Sequence, residues 1–142
     1  MPTKGSCVCG EWTYEYEGEP AGVVAGSNGS FNLVIPEANV SMLLPQACSP
    51  RALFKKLSGN DHLYSRVGDS GKSVHYKNCA KCATVMIADI EVMPGVVLVK
   101  GGTVDDLAVD AKNAPQMEIY RKNAAPWCTP WAGVAQVEGP PS

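Results

Sequence analysis

The chain has 142 residues, of which 45% are hydrophobic and 18% are charged, the size and composition of one folded domain. Its 14 Gly and 11 Pro indicate many turns between short strands, which argues against a long helical bundle. Twelve basic and 14 acidic residues give a formal net charge of -2 without a long basic cluster, so nucleic-acid binding is not expected. We therefore expect a single domain spanning residues 1–142.

The sequence also bears on where the protein works. No uninterrupted aliphatic stretch approaches the roughly 20 residues that cross a bilayer, so we expect no membrane contact. The first cysteine, Cys7, is reached without the apolar segment of a signal peptide, which favours a cytoplasmic location. In that reducing compartment, closely spaced cysteines indicate metal binding or catalysis before disulfides.

The first predicted element is a half-buried strand. Apolar and polar residues alternate over residues 11–17, which places Trp12, Tyr14 and Tyr16 on one face. Residues 21–30 contain turn-forming residues without periodicity, and this segment is interpreted as a loop.

Two short strands and a helix are predicted next. Residues 31–35 and 40–44 are apolar runs bounded by Pro36 and Pro45, which is typical of strands. Residues 49–59 begin with a Ser–Pro pair, carry basic residues late and end in Gly, the pattern of a short helix.

The second half of the chain is predicted to consist of strands and turns. The expected strands are residues 63–67, 73–77, 84–91, 96–100 and 117–120. The turn-rich residues 68–72 join the first two strands as a hairpin, and residues 101–115 form a polar loop. The predicted fold is therefore mainly β, with short antiparallel sheets and one short helix.

Four of the six cysteines form two closely spaced pairs. Cys7 and Cys9 are two residues apart in extended chain, where alternate side chains project to the same side. Cys79 and Cys82 have the C-x2-C spacing by which a tight turn offers two thiolates to a tetrahedral zinc. The pairs together predict one structural zinc, whose four thiolate ligands leave no open position for a substrate.

The cysteines also have simpler interpretations. The four paired residues can be unliganded thiols or two disulfides, although the C-x-C spacing makes adjacent bridges awkward. An iron–sulfur cluster is a further alternative, but a third close-spaced pair or a Cys-Pro signature is missing. Cys48 and Cys128 have no motif around them and are interpreted as small buried hydrophobes rather than nucleophiles.

Several separated motifs resemble one known family. They are Gly-Ser-Cys-Val-Cys-Gly at residues 5–10, Gly-Glu-Pro at 18–20, Asp-Ser-Gly at 69–71, Cys-Ala-Lys-Cys at 79–82, Gly-Thr-Val-Asp-Asp at 102–106 and Ala-Pro-Trp at 125–127. In this order they resemble the glutathione-dependent formaldehyde-activating enzyme family, which also includes a centromere protein. The resemblance extends from about residue 5 to residue 139. It implies a zinc-supported β-tent fold, with Cys7, Cys9, Cys79 and Cys82 as structural zinc ligands.

The chain departs from this family where the resemblance implies a catalytic zinc. Family members carry a second cysteine cluster, C-x-C-x2-C, shortly after the Gly-Glu-Pro turn. Residues 21–47 of this chain contain neither Cys nor His. Because amides and hydroxyls are poor zinc ligands, we expect the catalytic zinc to be absent. A smaller departure is Ala83, which follows the last ligand where the family has Gly.

Without a catalytic metal, acid–base side chains become the catalytic candidates. Glu37 is the one ionisable residue of the replaced stretch, and a carboxyl in an apolar pocket can transfer protons. A surface turn is its simpler interpretation. His75, in a predicted strand, is the second candidate, ahead of His62, although a lone His is more often packed or solvated.

Other side chains are candidates for substrate binding. Asn28, Ser30 and Asn32 can donate hydrogen bonds to a carbonyl or hydroxyl, but Ser-Asn-Gly-Ser is also an ordinary exposed turn. Trp127 can form an apolar wall against a ligand, with core packing as the default interpretation.

These patterns favour a divergent enzyme that keeps the structural zinc and lacks the catalytic one. The expected chemistry is a lyase, isomerase or cyclase reaction on a small carbonyl-bearing or electrophilic metabolite. One alternative is a non-catalytic zinc-binding scaffold, and another is residual carbon–sulfur lyase activity on glutathione adducts. The expected partner is a small-molecule substrate, and assembly into an oligomer is left open.

Overall fold

The computed structural model describes residues 2–26, 30–36 and 53–139. These residues form two β-sheets and one short α-helix, which confirms the predicted mainly β class. The strands are β1 (Thr3–Ser6), β2 (Thr13–Glu17), β3 (Gly22–Gly26), β4 (Ser30–Pro36), β5 (Leu53–Ser58), β6 (Asp61–Val67), β7 (Ser73–Cys79), β8 (Val85–Ile90), β9 (Val96–Lys100), β10 (Met117–Ile119) and β11 (Ala135–Gln136). The strand predicted at residues 40–44 lies outside the described residues.

The smaller sheet is antiparallel and has the order β1-β2-β5. Its third strand corrects the helix predicted at residues 49–59, because residues 53–58 are extended and pair with β2. In this register Phe54 lies opposite Tyr16, and its ring packs 5.5 Å from the ring of Tyr14. The start of the predicted helix, residues 49–52, lies outside the described residues. Packing against aromatic neighbours has overridden the local helix signals.

The larger sheet has eight strands among the described residues, in the order β11-β10-β3-β4-β9-β8-β7-β6. β6 and β7 form the predicted hairpin, closed by the hydrogen bond from the Gly68 amide to the Lys72 carbonyl. β3 corrects the loop predicted at residues 21–30, because residues 22–26 pair with both β4 and β10. β3 has the sequence Gly-Val-Val-Ala-Gly, which lacks the alternation of apolar and polar residues that identifies a strand in a sequence.

The core lies between the two sheets. Trp12, Tyr14 and Tyr16 are buried, which confirms that they share the inner face of the first predicted strand. They form one apolar cluster with side chains from β4, β8 and β9, namely Leu33, Ile35, Ile87, Val97 and Val99. Burial of each such side chain contributes about 1.5–3 kcal/mol, so this cluster is the main source of stability.

The larger sheet curls toward the face that points away from this core. β10 and β7 are five strand positions apart, which in a flat sheet would separate them by about 24 Å. Nevertheless Lys122, just beyond β10, approaches Asp69 in the β6–β7 turn, with 3.7 Å between Nζ and Oδ2. Burial raises the pKa of Tyr120, and the charges of the nearby Asp69 and Tyr76 also act to raise it, so the Tyr120 ring lies close to both. We call this curved surface the concave face of the larger sheet.

The one α-helix of the described residues, α1 (Leu107–Asp110), lies within the predicted polar loop. Its first turn is capped by Asp106, whose side chain accepts a hydrogen bond from the Ala108 amide. No helix in the described part of the chain has the length and apolar character needed to cross a membrane.

Candidate metal centre and candidate active site

The four cysteines of the two pairs meet at one end of the molecule. Their sulfur atoms all lie within 4.8 Å of one another. Cys7 Sγ is 3.4 Å from Cys9 Sγ, which is in turn 3.7 Å from Cys79 Sγ. Four sulfurs around a zinc at about 2.3 Å would be about 3.8 Å apart, so the spacing matches a single tetrahedral ion.

A tight turn positions the first pair. The Gly10 amide donates to the Cys7 carbonyl, and the Cys7 amide donates to the carbonyl of Trp12. Gly10 has a φ of 81°, a left-handed conformation that glycine adopts without strain. The Trp12 amide donates a further hydrogen bond to Cys7 Sγ at 3.2 Å, so the chain that leads into β2 also supports the sulfur.

A second turn, at the end of β7, positions the other pair. The Ala83 amide donates to the Cys79 carbonyl, and the Cys79 amide donates to the carbonyl of Thr84. Ala83 has a φ of 62°, a left-handed conformation that glycine adopts more readily than alanine. The side chain of Thr84 lies 3.0 Å from Cys82 Sγ and accepts from the amide of Val8, so it joins the two turns.

These contacts favour the thiolate form at Cys82 and Cys7 and the thiol form at Cys9. Hydrogen bonds from Thr84, first through its side chain and then through its backbone, lower the pKa of the Cys82 thiol to about 5. At Cys7 burial raises the pKa, but hydrogen bonds from the Trp12 amide, Cys9 and Cys79 lower it by more, so the net shift is downward. For Cys9 the Glu11 amide lowers the pKa, whereas desolvation and the other three thiols raise it to about 12. Negative charge is thus favoured on Cys7 and Cys82 before Cys9, and a bound cation would displace the proton of Cys9.

The donor set fits a single structural zinc. Four thiolates at tetrahedral spacing select zinc among the common divalent ions, and each sulfur is supplied by a rigid turn. When bound, the metal supplies four bonds that hold the N-terminal turn against the β7 turn. The set includes two buried residues, Cys7 and Cys79, while Cys9 is exposed and Cys82 is half-buried. With all four positions filled by protein, this centre is closed to substrate.

Asn32, a predicted substrate-binding residue, lies on the concave face. Side chains alternate between the two faces of β4, so Leu33 faces the core and its neighbour Asn32 points the other way. Only 5% of Asn32 is exposed, and its Oδ1 accepts a hydrogen bond from Lys100 Nζ at 2.8 Å. The Lys100 ammonium also lies 5.8 Å from the centre of the Tyr76 ring. Burial lowers the pKa of Lys100.

His75, a predicted acid–base residue, lies on the opposite face of the larger sheet. It alternates with Tyr76 along β7 and is paired in register with Ser65 of β6. Its Nδ1 is 2.7 Å from Ser65 Oγ, and its Nε2 is 3.3 Å from Glu91 Oε1. The group is exposed at the edge of the sheet, so the structure does not bring His75 and Asn32 into one site.

Trp127 is at the surface, with 84% of the residue exposed, so core packing is wrong for this residue. Its substrate-binding role stays a prediction. Cys128, interpreted above as a buried hydrophobe, is half-buried. The Arg121 guanidinium donates hydrogen bonds to its carbonyl oxygen and to its sulfur. Glu37, Asn28 and Cys48 lie outside the described residues. Ser30 starts β4, opposite Gly26, and its side chain is not among those described.

Sequence reasoning missed Lys100 and Tyr76. Lys100 is the last residue of an apolar strand, where a lysine commonly reaches solvent, and Tyr76 reads as an ordinary strand aromatic. Their meeting with Asn32 depends on the order β4-β9-β8-β7, which a single sequence does not reveal. The one available signal was the alternation of Lys100 with the buried Val99, which indicates the face opposite the core.

The fold and the metal centre define a class: a mainly β domain in which a four-thiolate centre joins the N-terminus to a strand turn 70 residues away. Within this class, the chain belongs to the GFA family, described as glutathione-dependent formaldehyde-activating enzyme, whose model matches residues 2–123. The match ends before the Ala-Pro-Trp motif at residues 125–127, so that motif lies beyond the part of the chain that the family model covers. No curated protein matches this chain.

Proposed function

We propose that this GFA-family protein is an enzyme with one structural zinc and no catalytic zinc. Its substrate would be a small carbonyl-bearing or electrophilic metabolite, transformed by a lyase, isomerase or cyclase reaction. The observation that carries this proposal is the contact between Asn32 and Lys100 on the concave face. Ionisable and amide groups held together away from bulk water are typical of a site that stabilises developing charge.

The four-cysteine centre and the concave face would have different roles. The four-cysteine centre has no ligand position to offer a substrate, so a zinc bound there would stabilise the folded state. On the concave face, the Lys100 amine can contact a carbonyl group, and the amide nitrogen of Asn32 can donate a hydrogen bond to an oxyanion that forms on the carbonyl oxygen. Reactions that pass through an enolate or a tetrahedral oxyanion need this kind of stabilisation. They include the elimination, isomerisation and cyclisation reactions of carbonyl compounds.

A ligand screen tests the proposal. Thermal shifts would be measured with small aldehydes, ketones, unsaturated carbonyl compounds, glutathione and glutathione adducts. We expect a carbonyl compound to raise the Tm reproducibly, and Asn32→Ala to abolish the shift while His75→Ala, on the opposite face, retains it. A circular dichroism spectrum identical to that of the wild type would show that Asn32→Ala is folded. Cleavage of a glutathione adduct would instead favour residual carbon–sulfur lyase activity.

The edge strand β6 favours the scaffold alternative. Leu63, Tyr64 and Val67 are each more than half exposed, and within the described residues β6 pairs with β7 alone. An exposed apolar edge can accept a strand from a protein partner. If no small molecule shifts the Tm while a partner binds wild type but not a Leu63→Lys variant, the protein is a scaffold rather than an enzyme.

A further inference from the structure

We propose that Lys100 is a nucleophile that forms an imine with an aldehyde or ketone on the concave face. This inference rests on the proposed function, and it names the residue and the covalent step by which a carbonyl substrate would be activated. It is carried by the surroundings of the Lys100 amine.

The Lys100 amine differs in its contacts from the lysines that form ion pairs. Four lysines of the described residues form ion pairs with carboxylates: Lys56 with Asp61, Lys77 with Asp89, Lys81 with Glu11 and Lys122 with Asp69. Among the contacts of the described residues, Lys100 Nζ has a neutral amide, Asn32 Oδ1, and the face of the Tyr76 ring. No carboxylate among those residues pairs with it.

Desolvation increases the fraction of uncharged amine at Lys100. Burial disfavours the ammonium form, and no carboxylate among the described residues pairs with it, so the pKa of Lys100 is lowered. Lysines desolvated in this way are the ones that enzymes use as Schiff-base nucleophiles. The hydrogen bond to Asn32 holds Nζ in one place, so Asn32 is a positioning residue for the nucleophile.

Imine formation at Lys100 needs no oxidant or reductant. The lone pair of neutral Lys100 Nζ attacks the carbonyl carbon, a C–N bond forms, and the electron pair of the C=O π bond moves to oxygen. Proton transfers from nitrogen to oxygen through solvent then give a carbinolamine, which loses water to leave a C=N bond. When protonated, this imine draws electrons from the adjacent carbon, so a neighbouring C–H or C–C bond can break. Hydrolysis returns the amine and the carbonyl product.

Reductive trapping tests the inference. The full-length, zinc-loaded protein would be incubated at pH 7 with propionaldehyde and sodium cyanoborohydride, which converts imines to stable propylamines. Peptide mass spectrometry at several times would give the rate for each lysine. We expect Lys100 to react at least about tenfold faster than Lys77, because burial lowers the pKa of Lys100 and so increases its fraction of reactive, uncharged amine. Lys77 is the matched control, since it lies on β7 of the same sheet and is paired with Asp89.

Three variants separate reactivity from folding. Lys100→Arg should remove the fast-reacting site, and Lys77→Arg should keep it. Asn32→Asp places a carboxylate beside the amine and should slow labelling of Lys100 by about tenfold, because an adjacent anion favours the ammonium form. Lys100 labelling no faster than Lys77 labelling in the wild type would overturn the inference. A carbonyl ligand that still raises the Tm in that case would leave the proposed function standing and refute only the imine.

Discussion

Asp61 connects the two sheets through one carboxylate oxygen. Its Oδ1 accepts from the Trp12 indole at 2.5 Å and from Lys56 Nζ at 2.8 Å. The Lys56 ammonium also lies 5.1 Å from the centre of the Trp12 ring. Partial burial raises the pKa of Asp61, but these two hydrogen bonds lower it further, so the net pKa is below its usual value. Because its pKa is depressed, the carboxylate stabilises the folded state above the pKa of the unfolded chain, and this contribution is lost as pH falls through the folded pKa.

Replacing Asp61 with Asn should therefore lower the free energy of unfolding by about 1–2 kcal/mol at pH 7, since charge-assisted hydrogen bonds become neutral ones. Urea unfolding of variant and wild type, measured from pH 8 downward, would give this difference. We expect it to be constant above the pKa of an Asp in the unfolded chain, about 3.9, and to narrow as pH falls from there through the lowered pKa of folded Asp61. Asp69→Asn is the control: it removes a surface pair at 3.7 Å and should cost less than about 0.5 kcal/mol. A difference that widened in acid would contradict the assigned role of Asp61.

At the scale of single residues, the sequence predicted those whose roles depend on spacing. Cys7, Cys9, Cys79 and Cys82 could be grouped because thiols two or three residues apart meet in any tight turn. Lys100 could not be found, because its environment is made by residues from two other strands.

At the scale of elements, β5 shows how tertiary contacts select a conformation. Its sequence carries helix signals, but the extended form places Phe54 against the aromatic residues of β2 and leaves Leu57 44% exposed. In a helix these two residues, three positions apart, would lie on the same face. In the observed strand they do not share an environment.

Truncation of both residues distinguishes the two conformations. Phe54→Ala should lower the free energy of unfolding by about 2–4 kcal/mol, because the ring packs against the core cluster. Leu57→Ala should cost less than about 1 kcal/mol, because 44% of the residue is already exposed to solvent. Chemical denaturation measures both values. Equal losses at the two positions would support the helix rather than the strand.

The alternating and hairpin-forming strands were predictable because their signals are local. β2, β4 and the β6–β7 hairpin lie where periodicity and turn residues placed them. β3 was missed because its Gly-rich, apolar sequence has no alternation, and it becomes a strand by pairing with β4 and β10. α1 was missed because four residues carry too little periodicity to be recognised.

At the scale of the whole molecule, the four-cysteine centre closes a long loop between the two sheets. It joins the turn before β2 to the end of β7, which are 70 residues apart. Apparent binding free energies of about 10–16 kcal/mol for structural zinc in small peptides are as large as the stability of a typical domain, about 5–15 kcal/mol. We therefore expect a bound zinc to be necessary for this end of the molecule to stay folded.

The central claim is that the chain holds one zinc, at this centre, and that its concave face works without a metal. Elemental analysis of the purified protein by mass spectrometry tests it most directly. We predict one zinc per chain in the wild type and close to none in Cys7→Ser or Cys82→Ser, while Cys128→Ser, outside the centre, retains one. Two zinc ions per chain, or one that survives the loss of Cys7 and Cys82, would contradict the account.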